Sequence, residues 1–347
     1  MIPSPAGAAC GTIAGMSLPA SLHVLEFNRS DDGVWNLPGE FVDRLRTAFP
    51  SVRFSAPATQ AEADALLPEA DIVFGWAVRS SNFEHASKLG WIQVSAAGIG
   101  GLLFPAMVES DIVITNGRGL HAASMAEHTL GVMLMFVRNL HLARDAQLRS
   151  QWAQDELFAG GPEFRELPGT TMGLVGLGQV GSAIARGARV LGVRVIAVRK
   201  HPQADAAADE QWGPERLDEL FGRADWLVLV PALTPETRGL ADARRIALMK
   251  PGAVLINLGR GALVDEVALI AALEGRRIAG ASLDVTGEEP LPPDSPRWKM
   301  PNVILTPHIS GLGPRYWQRS IELFQRNLAA WIERRPLENV VDKRAGY

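Results

Sequence analysis

From residue 22 onward the chain alternates short apolar runs with longer stretches of mixed apolar and polar positions. In the first third, the runs at 22–27, 52–54, 71–74, 91–94 and 111–114 read as short strands, and 40–48 and 60–67, lying between them, read as helices. Later the pattern becomes more uniform: 172–175, 193–198, 225–230, 252–257, 278–283 and 302–306 are almost uninterruptedly apolar and are separated by helix-length segments. A strand that is apolar on both faces belongs inside a parallel sheet covered by helices. Between the two sets, 121–143 is apolar nearly all round and predicts one long buried helix, while 152–168 predicts an irregular linker. An amphipathic helix at 319–332 and a polar tail at 336–347 close the chain. The pattern predicts an α/β fold of two Rossmann-like domains, each a doubly wound parallel sheet. A smaller flavodoxin-like domain spans 1–119 and is completed by 319–347; the six-stranded domain spans 120–318.

The first strand of the larger domain ends in Gly176-Leu-Gly178-Gln-Val-Gly181, ahead of a run of small residues suited to a helix. Gly176 permits the tight turn, Gly178 lets the backbone approach a pyrophosphate, and Gly181 lets the helix pack close to the strand. Gln179 and Val180 open that helix, whose free N–H groups and positive dipole end suit a diphosphate. Strand, turn and helix followed by further parallel strands predict a dinucleotide site.

Composition narrows the picture. With 347 residues, 47% hydrophobic and 21% charged, the chain can bury a large core, and a net charge of -4 gives no electrostatic reason to expect nucleic acid or an anionic membrane as partner. The single cysteine, Cys10, cannot form an intramolecular disulfide, which suits a reducing compartment and predicts a cytoplasmic protein. The first twenty residues hold no Lys or Arg and read as a disordered leader or as an over-extended start ahead of Met16. Glu127, His128 and Arg138 interrupt the best membrane-helix candidate, and no metal is expected.

In an open parallel sheet, ligands bind beyond the carboxyl ends of the strands. There the sequence places Gly259-Arg260-Gly261, Glu288-Glu289-Pro290 and Pro307-His308, each after a different strand. A guanidinium, a carboxylate and an imidazole fit the reduction of a 2-keto acid. Arg offers a planar fork that holds the carboxylate and polarises the ketone. His is an acid in the right range for the new alkoxide, and a carboxylate beside it fixes the ring and favours the charged form. A second glycine-rich turn, Ala96-Ala-Gly98-Ile99-Gly100-Gly101, reads equally as a loop needing positive φ or as a backbone-amide anion site.

Four segments together resemble the D-isomer-specific 2-hydroxyacid dehydrogenase family: Gly176-Leu-Gly-Gln-Val-Gly181, Ile256-Asn-Leu-Gly-Arg-Gly261, Leu283-Asp-Val285 with Glu289-Pro-Leu-Pro292, and Asn302-Val-Ile-Leu-Thr-Pro-His308. The resemblance covers roughly residues 90–310. It implies that Arg260 binds substrate, that Glu289 partners His308, and that His308 is the acid/base. It further implies that Asp284 bonds the nicotinamide carboxamide, that Pro231 lines the adenosine pocket, and that the amides of Gly98 and Ile99 bind the substrate carboxylate. Ala126-Glu127-His128 matches a helix that joins the domains and helps form a homodimer in the family.

Two departures refine this expectation. NAD-linked members usually end the second strand of the cofactor domain in Asp, where this chain has Arg199 followed by Lys200. Two cations would attract a 2′-phosphate, so NADP(H) is expected to be favoured over NAD(H). Gly100 stands where the family commonly has a polar residue. The loop at 75–80 is expected to select the substrate side chain, with Trp76 and Arg79 as candidates, and Tyr316 and Trp317 as further candidates to border the pocket. The expected activity is the reduction of small 2-keto acids of the glyoxylate and hydroxypyruvate type to D-2-hydroxy acids. A phosphoglycerate dehydrogenase and a non-enzymatic, dinucleotide-sensing corepressor-like scaffold are the alternatives.

Overall fold

The computed structural model describes residues 21–30, 33–201 and 205–346. The reading of the first twenty residues, Cys10 included, lies outside them. The chain divides into two compact units, Met1–Leu120 with Pro314–Tyr347, and His121–Gly313.

The first unit is a five-stranded sheet in the order β2-β1-β3-β4-β5, with β1 His23–Phe27, β2 Arg53–Ser55, β3 Ile72–Gly75, β4 Trp91–Gln93 and β5 Val113–Thr115. All four pairings are parallel, so this is the flavodoxin-like order. Helices α1 (Gly39–Ala48), α2 (Gln60–Leu66) and α3 (Pro105–Glu109) connect the strands. The closing helix, Tyr316–Ile332, starts three residues earlier than its apolar spacing predicts and packs on this sheet. Its Phe324 stacks on Phe74 at 4.3 Å between ring centres, and Trp331 stacks on Trp91 at 5.6 Å. Tyr316, one of the two aromatic pocket candidates, is buried and meets Trp35 edge-on at 5.4 Å, so it is part of the core. The tail is polar in composition, yet Val341 is buried, its N–H donates to the Ile114 carbonyl at 2.9 Å, and Val340 bridges Thr115 antiparallel.

The second unit holds seven parallel strands, not six. They are β6 Thr171–Val175, β7 Arg194–Val198, β8 Glu210–Trp212, β9 Trp226–Leu229, β10 Val254–Asn257, β11 Gly280–Leu283 and β12 Val303–Leu305, in the order β12-β11-β10-β9-β6-β7-β8. The strand missing from the hydropathy reading is β8, which has no apolar run to show. It is a three-residue edge strand whose Glu210 pairs with Arg194 of β7. Polar, charged edges of this kind discourage further pairing. Chain order reverses between β6 and β9, the point at which an open α/β sheet leaves a crevice beyond its carboxyl edge.

The single helix expected at 121–143 is two, α4 Ala122–Val137 and α5 Leu140–Leu148. Asn139 breaks it by adopting φ 50°, and its buried side-chain amide donates to the Pro162 carbonyl at 2.8 Å. An Asn tolerates the left-handed region better than the surrounding apolar residues would, and it gains a partner there. The remaining helices are α6 Gln179–Val190, α7 Leu217–Arg223, α8 Ala243–Leu248 and α9 Glu266–Glu274; 156–160 forms one π turn within the expected linker. No helix among the described residues is long and apolar enough to cross a membrane.

Candidate active site

The turn after β6 is shaped by what its glycines touch. Gly176 has φ +99°, and a Cβ there would lie 2.9 Å from the backbone of Val230 and Pro231, where β9 ends. At Gly181 an added Cβ would lie 2.0 Å from the Gly176 carbonyl oxygen, so α6 can lie this close to β6 only through glycine. Gly178 differs, because nothing stands within 4 Å of the Cβ it lacks. It is also the N-cap of α6 and offers no side chain to the first-turn amides of Gln179, Val180 and Gly181. Open space in front of uncapped helix N–H groups fits a diphosphate. Arg199 and Lys200 follow β7 directly, with the Arg199 N–H bonded to the Trp212 carbonyl at 3.1 Å and Lys200 exposed. Glu236 is held below the usual carboxylate range by the Thr234 hydroxyl and, more weakly, by the Lys200 ammonium.

Arg260 follows β10 on a turn fixed from within. Buried Asn257, the one polar residue of that strand, donates to the Arg260 carbonyl at 2.9 Å and accepts from the Gly259 N–H at 3.1 Å. A Cβ on Gly261 would lie 2.0 Å from the Thr286 carbonyl carbon, so the Arg260 turn rests on the loop that leads to Glu289. The guanidinium is exposed, with Nη1 donating to the Gly259 carbonyl at 2.7 Å.

The loop after β12 is held by Asp284, just past β11. Its carboxylate is buried and accepts from the Thr306 hydroxyl at 2.6 Å, the Ile309 N–H at 2.9 Å and the Ser310 N–H at 3.0 Å. In this arrangement Asp284 organises the turn that presents His308. His308 has φ +55°, a conformation that costs a non-glycine residue of order 1–3 kcal/mol and persists where its surroundings enforce it. Here the enforcement comes from the His308 N–H, which bonds the Asp284 carbonyl at 2.9 Å, and from the two amides that follow it. The ring then meets Glu289, with Nδ1 at 2.8 Å from Oε2, while Glu289 Oε1 accepts the Thr286 N–H at 3.0 Å. Behind this loop, His128 of α4 places Nε2 3.4 Å from the Thr306 hydroxyl. Burial lowers the His128 pKa, and the Asp284 charge offsets part of that effect.

In the first unit, Gly100 and Gly101 open a single 3-10 turn, Gly100–Leu102, and neither has positive φ. That removes the conformational explanation for glycine at both positions. Among the described residues no acceptor meets the N–H of Gly98 or Ile99, and consecutive unpaired amides are the raw material of an anion site. Trp76 is half-buried and lies 3.9 Å from where a Gly101 Cβ would stand, so it backs this turn; Arg79 is exposed and its N–H bonds Asn82. A buried network lies beneath the loop. Asn28 bonds Glu26 and accepts from the Ser95 hydroxyl at 2.9 Å, and burial raises the Glu26 pKa against the pull of Arg29.

The second unit thus brings Arg260, Asp284, Glu289 and His308 to adjacent strand ends, with Glu289 and His308 in contact. Asn257 and Thr306 organise these turns, and hydropathy gave no role to either. Each is a lone polar residue at the end of an apolar run. Strand order, glycine turn and this cluster define a dinucleotide-binding enzyme of the doubly wound α/β type.

Comparison with known proteins is specific about which. Residues 130–310 match the family described as D-isomer specific 2-hydroxyacid dehydrogenase, NAD binding domain. A glyoxylate reductase of Thermofilum pendens is 34% identical over 72% of this chain and 74% of that protein. A D-3-phosphoglycerate dehydrogenase of Methanocaldococcus jannaschii is 35% identical over 74% of this chain, but the chain spans only 49% of its length. Among solved structures, an NADPH-dependent glyoxylate/hydroxypyruvate reductase from Sinorhizobium meliloti, in complex with NADP and sulfate, has a TM-score of 0.77 and 27% identity over 95% of this chain and all of that one. The chain belongs to the D-isomer specific 2-hydroxyacid dehydrogenase family, NAD(P)-dependent enzymes that act on CH–OH groups.

Proposed function

We propose that this enzyme is an NADPH-linked reductase of small 2-keto acids, of the glyoxylate and hydroxypyruvate type, yielding D-2-hydroxy acids. The observation that carries the chemistry is the Glu289–His308 contact at 2.8 Å, one strand end away from Arg260. An ionised Glu289 accepts the Nδ1 proton and so turns Nε2 outward, where an imidazolium donates to the developing alkoxide. Arg260 binds the substrate carboxylate and polarises the keto oxygen through its planar fork. Gly98 and Ile99 of the first unit offer amides to the same class of anion, and Trp76 shapes the neighbouring surface. When bound, the nicotinamide cofactor supplies the hydride. Gly176, Gly178, Gln179, Val180 and Gly181 would hold its diphosphate, with Pro231 beside the turn.

The preference for NADPH rests on Arg199 and Lys200, and the Sinorhizobium meliloti reductase named above is similarly NADPH-dependent. We take the protein to be cytoplasmic and a homodimer. Phosphoglycerate oxidation is the second reading, favoured by the Methanocaldococcus jannaschii relative. One assay separates the two. Nicotinamide absorbance is followed with NADPH and NADH side by side, offering glyoxylate, hydroxypyruvate, pyruvate and phenylpyruvate, and 3-phosphoglycerate with each oxidised cofactor. Turnover of glyoxylate and hydroxypyruvate with NADPH supports the proposal. Turnover confined to 3-phosphoglycerate replaces it with the second reading.

A further inference from the structure

Behind the Glu289 loop lies a charge pair that the reaction as derived does not use. Glu266 opens α9, directly after the segment that carries Arg260, and its Oε1 accepts the Gly287 N–H at 2.7 Å. The same oxygen stands 2.6 Å from Nη1 of Arg297, a close charge pair whose N–H is not aligned for a hydrogen bond. Arg297 is 8% exposed and Glu266 25%, so the arginine is buried and depends on a glutamate that is only partly open to solvent. Arg297 Nε is tied in turn to the Ser295 hydroxyl at 3.1 Å. A Cβ on Gly287 would lie 3.1 Å from Glu266 Oε2, so the carboxylate packs closely on this glycine.

From Gly287 the path to the chemistry is two residues long. Thr286 gives its N–H to Glu289 Oε1, and Glu289 Oε2 meets His308. On the other side, Gly261 abuts Thr286 and Gly287 through backbone atoms, with 2.0 Å and 2.3 Å left for a Cβ. One glutamate therefore grips the loop on which both the carboxylate and the arginine turn depend. Glu289 itself is 39% exposed and sits on an exposed loop, so its own packing does not fix it.

We propose that Glu266 and Arg297 are positioning residues: their largely buried pair clamps the Thr286–Gly287 backbone and thereby sets Glu289 against His308. A buried ion pair is poor evidence for stability, since its desolvation offsets much of its attraction, so a pair retained here needs a reason of another kind. Holding a catalytic carboxylate within a fraction of an ångström is such a reason, because small misplacements cost rate. The inference rests on the reading of Glu289 and His308 as the acid/base pair.

The test is a double-mutant cycle on the full-length enzyme with its NAD(P)H cofactor and whichever keto acid it turns over best. Glu266→Gln keeps the shape and removes the charge; it is expected to lower kcat about tenfold while leaving KM and cofactor affinity within about twofold. In a Glu289→Ala background the same change should lower kcat by less than about twofold, because the side chain it acts through is absent. An equal loss in both backgrounds, or none in the wild type, overturns the clamp. Removing a single buried charge can unfold a protein, so Glu266→Gln with Arg297→Met, which leaves neither charge unpaired, is measured as well. It too should lose kcat with cofactor binding intact, and wild-type kcat would overturn the proposal. Arg297→Lys should restore part of the activity that Arg297→Met loses. His308→Ala is the control on the underlying reading: if it retains full kcat, the acid/base assignment fails, whereas a dead His308→Ala beside a fully active Glu266→Gln sinks the clamp alone.

Discussion

His308 Nδ1 stands 2.8 Å from Glu289 Oε2, with the histidine's own backbone held at φ +55°. The contact joins two loops from adjacent strands, and Asp284 fixes one of them through three hydrogen bonds. Loss of a positioned general acid typically costs about 10²–10⁴ in rate. His308→Ala is expected to lower kcat by at least about 10² while cofactor affinity, measured by nicotinamide fluorescence, stays unchanged. Glu289→Gln should lower kcat less, since the amide oxygen still accepts a hydrogen bond but carries no charge. Equal activity of wild type and His308→Ala would remove the imidazole from the reaction.

The glycine turn after β6 allows fold and binding to be tested apart. Gly181→Ala puts a Cβ 2.0 Å from a carbonyl oxygen and is expected to cost about 1–3 kcal/mol, read as a lowered Tm in the absence of cofactor. Gly178→Ala meets nothing within 4 Å, so the Tm of the cofactor-free protein should hold while dinucleotide affinity falls. If Gly178→Ala binds the cofactor as tightly as wild type does, the diphosphate is held elsewhere.

Long apolar runs showed their strands directly. All six expected strands of the second unit appear within two residues of their expected ends, as do all five of the first. The failures share a cause. β8 forms because its backbone pairs with β7, a contact that leaves no mark on a three-residue polar segment. The break at Asn139 depends on a partner, the Pro162 carbonyl, that lies 23 residues away. At the site, Arg260, Glu289 and His308 stood out as charged or titratable residues beside glycine or proline at strand ends. Glu266 and Arg297 did not, because a helix-start glutamate and an arginine in a proline-rich loop look like surface until folding pairs them and buries the arginine.

Arg199 is the residue expected to set cofactor choice in the proposed NADPH-linked enzyme. Arg199 directly follows β7, at the position where NAD-linked relatives usually carry Asp, so it is expected to dominate the attraction for a 2′-phosphate. Arg199→Asp should move the ratio of kcat/KM for NADPH to that for NADH at least about tenfold toward NADH, roughly one charge-assisted contact. Lys200→Ala should move it less. An unchanged ratio in Arg199→Asp would show that this side chain does not reach the ribose.

The region after α4 carries four exposed large hydrophobic side chains among its charged and polar ones. Leu140, Leu148, Trp152 and Phe158 are 50%, 67%, 91% and 85% exposed, and in the proposed homodimer a second copy of the chain is expected to cover them. Leu148→Glu with Trp152→Glu should convert the proposed dimer to monomer in sedimentation experiments while leaving cofactor binding in place. A wild-type protein that sediments as a monomer at all concentrations would end the dimer assignment.

Stability should fall on the acid side, and His23 is the residue to follow. It is buried in the first unit, with Nε2 2.8 Å from the Ser55 hydroxyl and Nδ1 3.2 Å from the Glu69 carbonyl. Burial lowers its pKa, more than the Glu69 carbonyl and nearby carboxylates raise it. The unfolded chain then binds the proton more readily than the folded one, so the stabilisation is fully present above the unfolded value of about 6.5 and is lost as pH falls below it. Glu26, raised by burial, works in the opposite sense, losing stability as pH rises through its folded pKa. Thermal melts at about pH 7.5 and about pH 5.5 bracket the histidine window. Wild type should lose Tm between them, and His23→Gln, which keeps hydrogen-bonding groups but cannot titrate, should lose less. Identical losses would show that His23 does not carry the acid sensitivity, leaving His128 and His141 of the second unit, both also lowered by burial, as its source.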